Sequence, residues 1–324
     1  MRRDKILYLS EEDVKKCLTM KEVVEAVEEG IKLLGQGKAI QPPKIYLELD
    51  QYGGFIKPMI AFVDKPLHIS ATKNFTFFPE NRKHGLPTVL ATIILNDPQT
   101  GVPLSIMDGT WITGVRTAAT TAIAAKYLAK PDSKVVGIFG AGLQGMTHLM
   151  AFSEIFKLKT VRVADISREY REQFVKEMGK QFDLEIIPVE SNEKAVRGAD
   201  IVVTCTTADE ALVKKEWFEP GMFVAKTGSY QEIDFGMLRT ADKLVVDWWD
   251  YVSRRVAEFT KTDVKRDTVY SELAEVVAGK KKGRENNREK ILFISIGMGV
   301  EDAAVAFLVY KYARKNGLGQ YLEP

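Results

Sequence analysis

The chain has 324 residues, 45% hydrophobic and 28% charged, and its 46 basic residues nearly balance 44 acidic ones. These values exclude disorder and predict about two domains, and the net charge of +2 gives no overall field for binding a nucleic acid. The sequence has no apolar run of roughly 18 residues and no signal peptide, so we expect a cytoplasmic protein without a membrane span. Its 2 cysteines and 3 histidines show no metal-ligand spacing, so we expect neither a disulfide framework nor a metal site.

The first 36 residues predict two short helices. Each has a capping signal, a hydroxyl residue followed three positions later by an acid: Ser10 with Asp13, and Thr19 with Glu22. Residues 44–107 then change to short runs rich in β-branched and aromatic residues, separated by turn residues. This segment predicts an antiparallel sheet or an open barrel.

From residue 117 onwards the pattern is typical of an α/β fold. Residues 117–129 are rich in Ala and Thr and predict a closely packed helix, and residues 134–295 alternate apolar strands with helices. This alternation implies crossover connections and a parallel sheet covered on both faces. A last helix at 301–315 is expected to return to the N-terminal half. We therefore predict a doubly wound Rossmann domain at 117–298 and an α+β domain built from residues 1–116 and 299–324.

A glycine-rich turn lies at the start of the doubly wound domain. The apolar strand at 135–139 leads directly into Gly140, Gly142 and Gly145. Gly140 permits the tight turn, Gly142 lets the backbone approach a pyrophosphate, and Gly145 allows the helix to pack closely on the strand. Amides at the helix start would bind the phosphates. The turn therefore predicts a dinucleotide site; a glycine turn without a ligand is the alternative interpretation.

An acid at the end of the second strand bears on the choice of cofactor. Asp165 follows Gly145 by about 20 residues, where an acid commonly binds the adenosine ribose hydroxyls. A carboxylate there would repel a 2′-phosphate, so NAD is the expected cofactor. Arg168 lies three residues further on and could attract that phosphate, so NADP stays open.

Four cations interrupt otherwise apolar segments of the N-terminal half: Lys44, Lys57, Lys73 and Arg116. Charged residues are rarely buried unless they are paired. The four therefore either form the solvated face of the sheet or converge on an anionic ligand. Arg116 favours the second interpretation, because it lies where the sheet passes into the nucleotide domain and substrates bind in clefts between domains.

Motifs that carry a family resemblance are spread in order over nearly the whole chain, from KNFTFFPEN at 73–81 to SIGMGVED at 295–302. Others lie at 84–88, 97–104, 107–110, 116–119, 140–144 and 241–247. Together they resemble the ornithine cyclodeaminase and mu-crystallin family, which also contains NAD-dependent alanine dehydrogenases and imine reductases.

The resemblance implies a homodimer whose subunit contact and substrate region are built by the two chain ends. Position by position, it implies that Lys73 and Arg116 bind the substrate carboxylate and take part in catalysis, and that Lys44, Lys57 and Ile296 bind substrate. The dinucleotide contacts implied by the resemblance are Thr88, Thr117, Leu143, Gln144, Asp165, Thr204, Ser229 and Ser295. The predicted cofactor site also includes the three glycines, Arg168 and Gly228.

One departure from the family pattern lies in the loop after the fifth strand of the nucleotide domain. Cyclodeaminases of the family have an Asp there that carries protons for the substrate amine, whereas this chain has Ser229. A serine supplies no carboxylate, so the change counts against cyclodeamination. Glu232 and Asp234 in the same loop either reach into the site or cap the following helix, and capping is the expected role.

The leading hypothesis is an NAD(P)-dependent oxidoreductase acting on the C–N bond of a small amino, imino or 2-oxo acid, of the alanine dehydrogenase or ketimine reductase type. Arg116 suits the carboxylate because its planar fork donates two parallel hydrogen bonds. Lys73 suits proton transfer if burial and nearby cations lower its pKa from about 10.4 towards neutrality. The alternatives are a cyclodeaminase that recycles its NAD and a mu-crystallin-like binding protein with little turnover.

Overall fold

The computed structural model describes residues 5–228, 231–260 and 265–323, and for residues 255–260 it describes the backbone only. Contacts divide the chain into two compact units. Unit 1 consists of Met1–Arg116 together with Met298–Pro324, and unit 2 consists of Thr117–Gly297. None of the helices in the described part of the chain combines the length and the apolar character that crossing a membrane requires.

The elements of the first 128 residues begin with a short strand. In chain order they are β1 (Ile6–Leu9), α1 (Glu11–Lys16), α2 (Met20–Gly35), β2 (Ala39–Ile40), β3 (Leu47–Leu49), β4 (Gly54–Val63), β5 (Ile69–Phe77), β6 (Val89–Asn96), β7 (Pro103–Asp108) and α3 (Thr110–Leu128). The side chains of Ser10 and Thr19 cap α1 and α2 in the predicted capping boxes.

The elements after residue 128 alternate strands and helices, as predicted. They are β8 (Val135–Phe139), α4 (Leu143–Ile155), β9 (Thr160–Ala164), α5 (Arg168–Met178), β10 (Glu185–Val189), α6 (Asn192–Val196), β11 (Ile201–Thr204), β12 (Phe223–Lys226), α7 (Met237–Thr240), β13 (Lys243–Val246), α8 (Trp249–Thr260), β14 (Ser271–Glu272), α9 (Leu273–Val277), β15 (Ile291–Ile294), α10 (Gly299–Asn316) and β16 (Gln320–Leu322).

The sheet of unit 1 has the strand order β16-β1-β7-β6-β5-β4-β2, with β3 on β4. Most pairings are antiparallel, but β1 pairs with β7 in parallel. The antiparallel sheet predicted for residues 44–107 is confirmed, because β2 to β7 pair with one another in antiparallel fashion. Strand β1 was not predicted, since the first 36 residues were interpreted as two helices. Four residues are too few for periodicity to identify β1, although Leu7 and Leu9 are buried on either side of the exposed Tyr8.

Helix α10 packs against α2 and against β4, β5 and β6 within unit 1, as expected for a returning helix. Its small residues allow a close approach, because a Cβ added at Gly30 of α2 would lie 3.2 Å from Cβ of Ala304. The first turn of α10 lies against β4, because a Cβ added at Gly299 would lie 2.9 Å from the carbonyl oxygen of Ile60.

The sheet of unit 2 has the strand order β10-β9-β8-β11-β12-β15-β13-β14, and every pairing between neighbours is parallel. This confirms the predicted doubly wound sheet. After β8 the chain adds β9 and β10 on one side and then crosses back to place β11 on the other side of β8. At such a reversal of strand order, ligands bind at the carboxyl ends of the strands. The glycine turn follows β8 at that end.

Candidate functional site

The four predicted cations of unit 1 are all buried. Their exposed fractions are 8% for Lys44, 7% for Lys57, 0% for Lys73 and 5% for Arg116. The interpretation of the three lysines as a solvated sheet face was therefore wrong. Arg116, for which the sequence favoured the other interpretation, is buried as well. Lys57 lies on β4 and Lys73 on β5, while Arg116 belongs to α3.

Lys73 and Arg116 meet at two acids in the first turn of α10. Nζ of Lys73 donates to Oδ1 of Asp302 at 2.7 Å, and Nε of Arg116 lies 3.0 Å from the same oxygen. Nη1 of Arg116 donates to Oε2 of Glu301 at 2.8 Å. Lys73, Arg116, Glu301 and Asp302 form the buried ion cluster of unit 1.

The acids of this cluster are placed by local helix chemistry. Glu301 and Asp302 occupy the first turn of α10, where the helix dipole stabilises negative charge. Glu301 Oε2 also accepts from the backbone N–H of Met298 at 3.1 Å. Since both carboxylates are buried, they tolerate removal from water only when they are paired with cations.

The cluster changes the proton affinity of Lys73. Burial and, to a smaller extent, the nearby Arg116 guanidinium lower the pKa of this lysine to about 7, although Asp302 and Glu301 oppose the shift. A group with this pKa is present in both protonation states at neutral pH. Lys73 can therefore donate or accept a proton there, as an acid–base group must.

Aromatic side chains lie next to the cluster on the same face of the sheet. Nζ of Lys57 is 4.7 Å from the ring centroid of Phe75, 5.2 Å from that of Tyr46 and 5.7 Å from that of Phe55. Phe55 stacks on Phe77 at 5.4 Å. These four rings, the aromatic group, are only partly buried. They offer apolar surface beside buried positive charge, and sequence reasoning missed them.

The glycine turn of unit 2 has the geometry of a phosphate site. Gly140 has a φ of 102°, which glycine adopts readily, and a Cβ at Gly145 would lie 2.0 Å from the carbonyl oxygen of Gly140. In contrast, a Cβ at Gly142 would meet no atom within 4 Å among the described residues. The turn is closed where it packs and open at Gly142, immediately before α4. These features fit a dinucleotide pyrophosphate.

Asp165 contacts the glycine turn itself. Its Oδ2 accepts from the N–H of Ala141 at 2.8 Å, and its Oδ1 accepts from the N–H of Ser167 at 2.9 Å. The acid thus helps to fix the turn. Arg168 is exposed and pairs with Glu172 at 2.7 Å. Leu143 and Gln144 form the start of α4, directly after the open glycine.

Two further acids organise the carboxyl ends of the unit 2 strands. Oδ2 of Asp247 accepts from Oγ of Ser295 at 3.0 Å and from the backbone N–H groups of Ile296 and Gly297 at 2.5 and 2.6 Å. Thr204 donates its hydroxyl to Oε2 of Glu232 at 3.0 Å. Ser295, Ile296 and Thr204 are therefore held by buried carboxylates whose roles the sequence did not reveal.

Comparison with known proteins places the chain in a family. Residues 4–317 match the model of the ornithine cyclodeaminase/mu-crystallin family. The chain belongs to this family. An alanine dehydrogenase of Archaeoglobus fulgidus is 35% identical over 326 residues, which cover 98% of both chains.

Solved structures of family members have the same fold. The Delta(1)-pyrroline-2-carboxylate reductase of Thermococcus litoralis, in complex with NADH and L-proline, has a TM-score of 0.92 and 40% identity over 98% of this chain and all of that one. An archaeal alanine dehydrogenase dimer with bound NAD has a TM-score of 0.91 and 34% identity, covering 98% of this chain and 99% of that one.

The loop that departs from the family pattern contains a buried acid. Glu232 accepts from the backbone N–H and the hydroxyl of Thr206, at 2.6 and 2.8 Å, in addition to Thr204. The expectation that Glu232 caps a helix was therefore wrong, because its carboxylate bonds back to the end of β11. Asp234 accepts from the N–H of Gly236, just before α7. Ser229 lies outside the described residues.

The remaining predicted contacts are placed as follows. Thr88 precedes β6 in unit 1 and accepts from Nε of Arg82 at 3.1 Å. Thr117 lies in α3, where its carbonyl accepts from Thr121. Gly228 packs against Thr206 and Glu232 so closely that a Cβ would lie 2.3 Å from Oε1 of the glutamate.

Sequence reasoning named the basic half of the ion cluster and missed its acidic half. Glu301 and Asp302 stand at the end of the SIGMGVED motif, and two adjacent acids at a helix start were the available signal. Within residues 5–228, 231–260 and 265–323, the structure has no group of three or more His, Cys, Asp or Glu placed to hold a metal ion.

Proposed function

We propose that the chain is a nicotinamide-dependent oxidoreductase that acts on the carbon–nitrogen bond of a small amino or imino acid. The observation that carries the proposal is the buried pair Lys73 and Arg116, which share one oxygen of Asp302 beside the partly exposed aromatic group. Alanine dehydrogenase and pyrroline-2-carboxylate reductase relatives that align over nearly the full chain support the same reaction class.

The substrate is proposed to be a cyclic imino acid, reduced to the corresponding amino acid. The rings of Phe55, Phe75 and Phe77 offer apolar surface that suits the methylene groups of a small aliphatic ring better than the single methyl group of alanine. The Thermococcus litoralis relative, solved with L-proline, supports this choice.

The cofactor is proposed to be NAD, with NADP as the weaker ligand. The open Gly142 and the amides at the start of α4 would hold the pyrophosphate, and the Asp165 carboxylate beside the turn would repel a 2′-phosphate. Arg168 is already paired with Glu172. When bound, the nicotinamide supplies or accepts the hydride at the substrate carbon.

The residues of unit 1 would bind the substrate and manage its proton. Arg116 and the buried lysines supply the positive charge that a carboxylate requires. In the reductive direction Lys73 gives the proton on Nζ to the substrate nitrogen and regains one from water. In the oxidative direction the neutral amine of Lys73 accepts the proton from the substrate nitrogen. Because the pKa of Lys73 is about 7, the value of kcat/KM for reduction should fall as pH rises above 7, and that for oxidation should rise.

The decisive test offers the protein a substrate panel with NADH and follows NADH absorbance. A five- or six-membered cyclic imine carboxylate should be reduced faster than pyruvate with ammonia or methylamine. Faster reduction of pyruvate would favour an alanine dehydrogenase instead. Silence with all of them would favour the binding-protein alternative. Conversion of ornithine to proline and ammonia with trace NAD, without net NADH, would favour a cyclodeaminase.

The subunit contact of the proposed homodimer is assigned to the outer face of the unit 1 sheet. Register places Tyr8, Ile106, Ile94, Thr72 and Ile60 in one uncharged row across five strands. Tyr8, Ile94 and Ile60 are 42%, 37% and 43% exposed. An uncharged apolar face of this kind is typical of an interaction surface, and the archaeal relative is a dimer.

Light scattering tests the dimer. Ile94→Glu should halve the measured mass, because it puts a charge at the centre of the row. Tyr312→Glu, an equally exposed position on α10, should leave the mass unchanged. A wild-type monomer, or a dimer in Ile94→Glu, would count against this assignment.

A further inference from the structure

The position of Asp302 suggests how the proposed proton-transfer group is controlled, and the inference rests on the proposed function. One carboxylate oxygen, Oδ1, contacts both Lys73 Nζ and Arg116 Nε, at 2.7 and 3.0 Å. The other oxygen, Oδ2, is buried and has no hydrogen-bond partner in the described part of the chain. The carboxylate is therefore shared by the two cations rather than spread over many donors.

We propose that Asp302 is a positioning residue, which fixes the Lys73 ammonium and the Arg116 guanidinium against each other and stabilises the proton on Lys73. Asp302 acts through these two residues rather than through substrate. Its backbone belongs to the first turn of α10, which packs on β4, β5 and β6. A long lysine side chain is thus tied to a rigid element instead of sampling many rotamers.

The charges that face Lys73 support this role. Arg116 from α3 contacts the same oxygen of Asp302 as Lys73 does, Lys57 from β4 lies on the same sheet face, and Glu301 and Asp302 come from α10. The inward positions of β6 are apolar: Val89, Ala91, Ile93 and Leu95. Among these groups, Asp302 is the only acid bonded directly to Lys73 in the described residues, so it is the main stabiliser of the protonated lysine.

The two acids of the cluster are not equivalent, and this difference supplies a matched control. Asp302 contacts both Lys73 and Arg116, whereas the hydrogen bonds of Glu301 go to Arg116 and to the backbone of Met298. Asp302 raises the pKa of Lys73 more than Glu301 does. Neutralising Asp302 should therefore deprotonate Lys73 at neutral pH, while neutralising Glu301 should disturb mainly Arg116.

The test is a ¹³Cε NMR titration of the lysines in the full chain, for the wild type, Asp302→Asn and Glu301→Gln, with Lys73→Met assigning the Lys73 resonance. The wild-type midpoint should lie at about 7. In Asp302→Asn the midpoint should lie at least about one pH unit lower, because an adjacent opposite charge is lost. Glu301→Gln should lower it by clearly less. An unchanged midpoint in Asp302→Asn, or an equal shift in Glu301→Gln, would overturn the proposal.

The wild type provides a second measurement should Asp302→Asn fail to fold. The ¹³Cγ resonance of Asp302 should move as Lys73 loses its proton, because Oδ1 of Asp302 accepts the hydrogen bond that Nζ of Lys73 donates. This transition should be absent in Lys73→Met. An Asp302 resonance that stays constant while Lys73 titrates would overturn the proposal.

Neither titration needs turnover, so each hypothesis can fail on its own. If no imine is reduced but the Lys73 midpoint depends on Asp302, the proposed function fails and the positioning role stands. If imines are reduced, Asp302→Asn should move the pH profile of kcat/KM for reduction downwards by the NMR shift, and Glu301→Gln should mainly raise KM. A pH profile that does not follow the NMR midpoint would overturn the role of Asp302 in the reaction.

Discussion

The two units prepare for negatively charged ligands in different ways. In unit 2 the glycine turn presents backbone amides and open space at Gly142, and Asp165 holds the turn through the N–H of Ala141. In unit 1 the charge is carried by the side chains of the buried ion cluster, and Lys73 and Asp302 come from positions 229 residues apart. A backbone site needs small residues at fixed spacing, whereas a side-chain site needs a fold that brings distant residues together.

This difference determines what a mutation removes. In the turn, an added side chain excludes the ligand or breaks the packing, and charge is secondary. In the ion cluster, replacing an acid by its amide keeps the shape of the side chain, removes its charge and so alters the proton affinity of the neighbouring lysine. Substitutions in the glycine turn should therefore change ligand affinity or stability, whereas substitutions in the ion cluster should change the pH dependence.

The largest effect is expected from Lys73→Met. Removing a positioned acid–base group should lower kcat by about 10²–10⁴-fold at saturating substrate and cofactor. Lys57→Met is the contrasting variant, because Lys57 faces the aromatic group and should chiefly raise KM. Steady-state kinetics with the best imine of the panel measures both. If kcat decreases by less than tenfold in Lys73→Met, Lys73 does not act as the acid–base group.

A pair of glycine substitutions separates packing from ligand space in unit 2. Gly145→Ala places a Cβ against the Gly140 carbonyl and should destabilise the fold by about 1–3 kcal/mol. Gly142→Ala meets no protein atom among the described residues, so its melting temperature should match wild type. Its dissociation constant for NADH should nevertheless rise at least about tenfold, or about 1.4 kcal/mol.

Thermal unfolding and NADH fluorescence titration measure these two effects. Unchanged NADH affinity in Gly142→Ala would show that the open side of the turn is not the phosphate site. Unchanged stability in Gly145→Ala would contradict the tight packing at that glycine.

A smaller effect is expected from Glu232→Gln. The carboxylate accepts from the Thr206 amide and from two threonine hydroxyls, and an amide group cannot accept from all three. The cost should be about 1–2 kcal/mol, seen as a melting temperature lower by several degrees. Glu210→Gln, at an exposed position nearby, should melt like wild type. Equal melting temperatures for the two variants would contradict a structural role for Glu232.

The smallest effect is expected at the exposed Arg168. Its ion pair with Glu172 is open to solvent, so Arg168→Ala should leave the melting temperature unchanged. The affinity for NADH should also stay as in wild type, and NADPH should remain the weaker ligand. If wild type prefers NADPH and the variant loses that preference, Arg168 binds the 2′-phosphate and the proposed choice of NAD is wrong.

The sequence by itself determined the parallel sheet of unit 2, the glycine turn and the capped N-terminal helices. These features follow from local rules: apolar runs that alternate with helices, glycines where a Cβ does not fit, and hydroxyl residues three positions before an acid. It also identified Lys73 and Arg116 as unusual, because charges in apolar segments need partners.

Only the tertiary structure decided which partners those charges have. Strand β1 pairs in parallel with β7, Glu232 bonds back to β11 instead of capping a helix, and Asp302 reaches a lysine on β5. Each of these contacts joins residues that are distant in sequence. Spacing along the chain carries no information about them, because the packing of whole helices and sheets fixes which buried donor meets which acceptor.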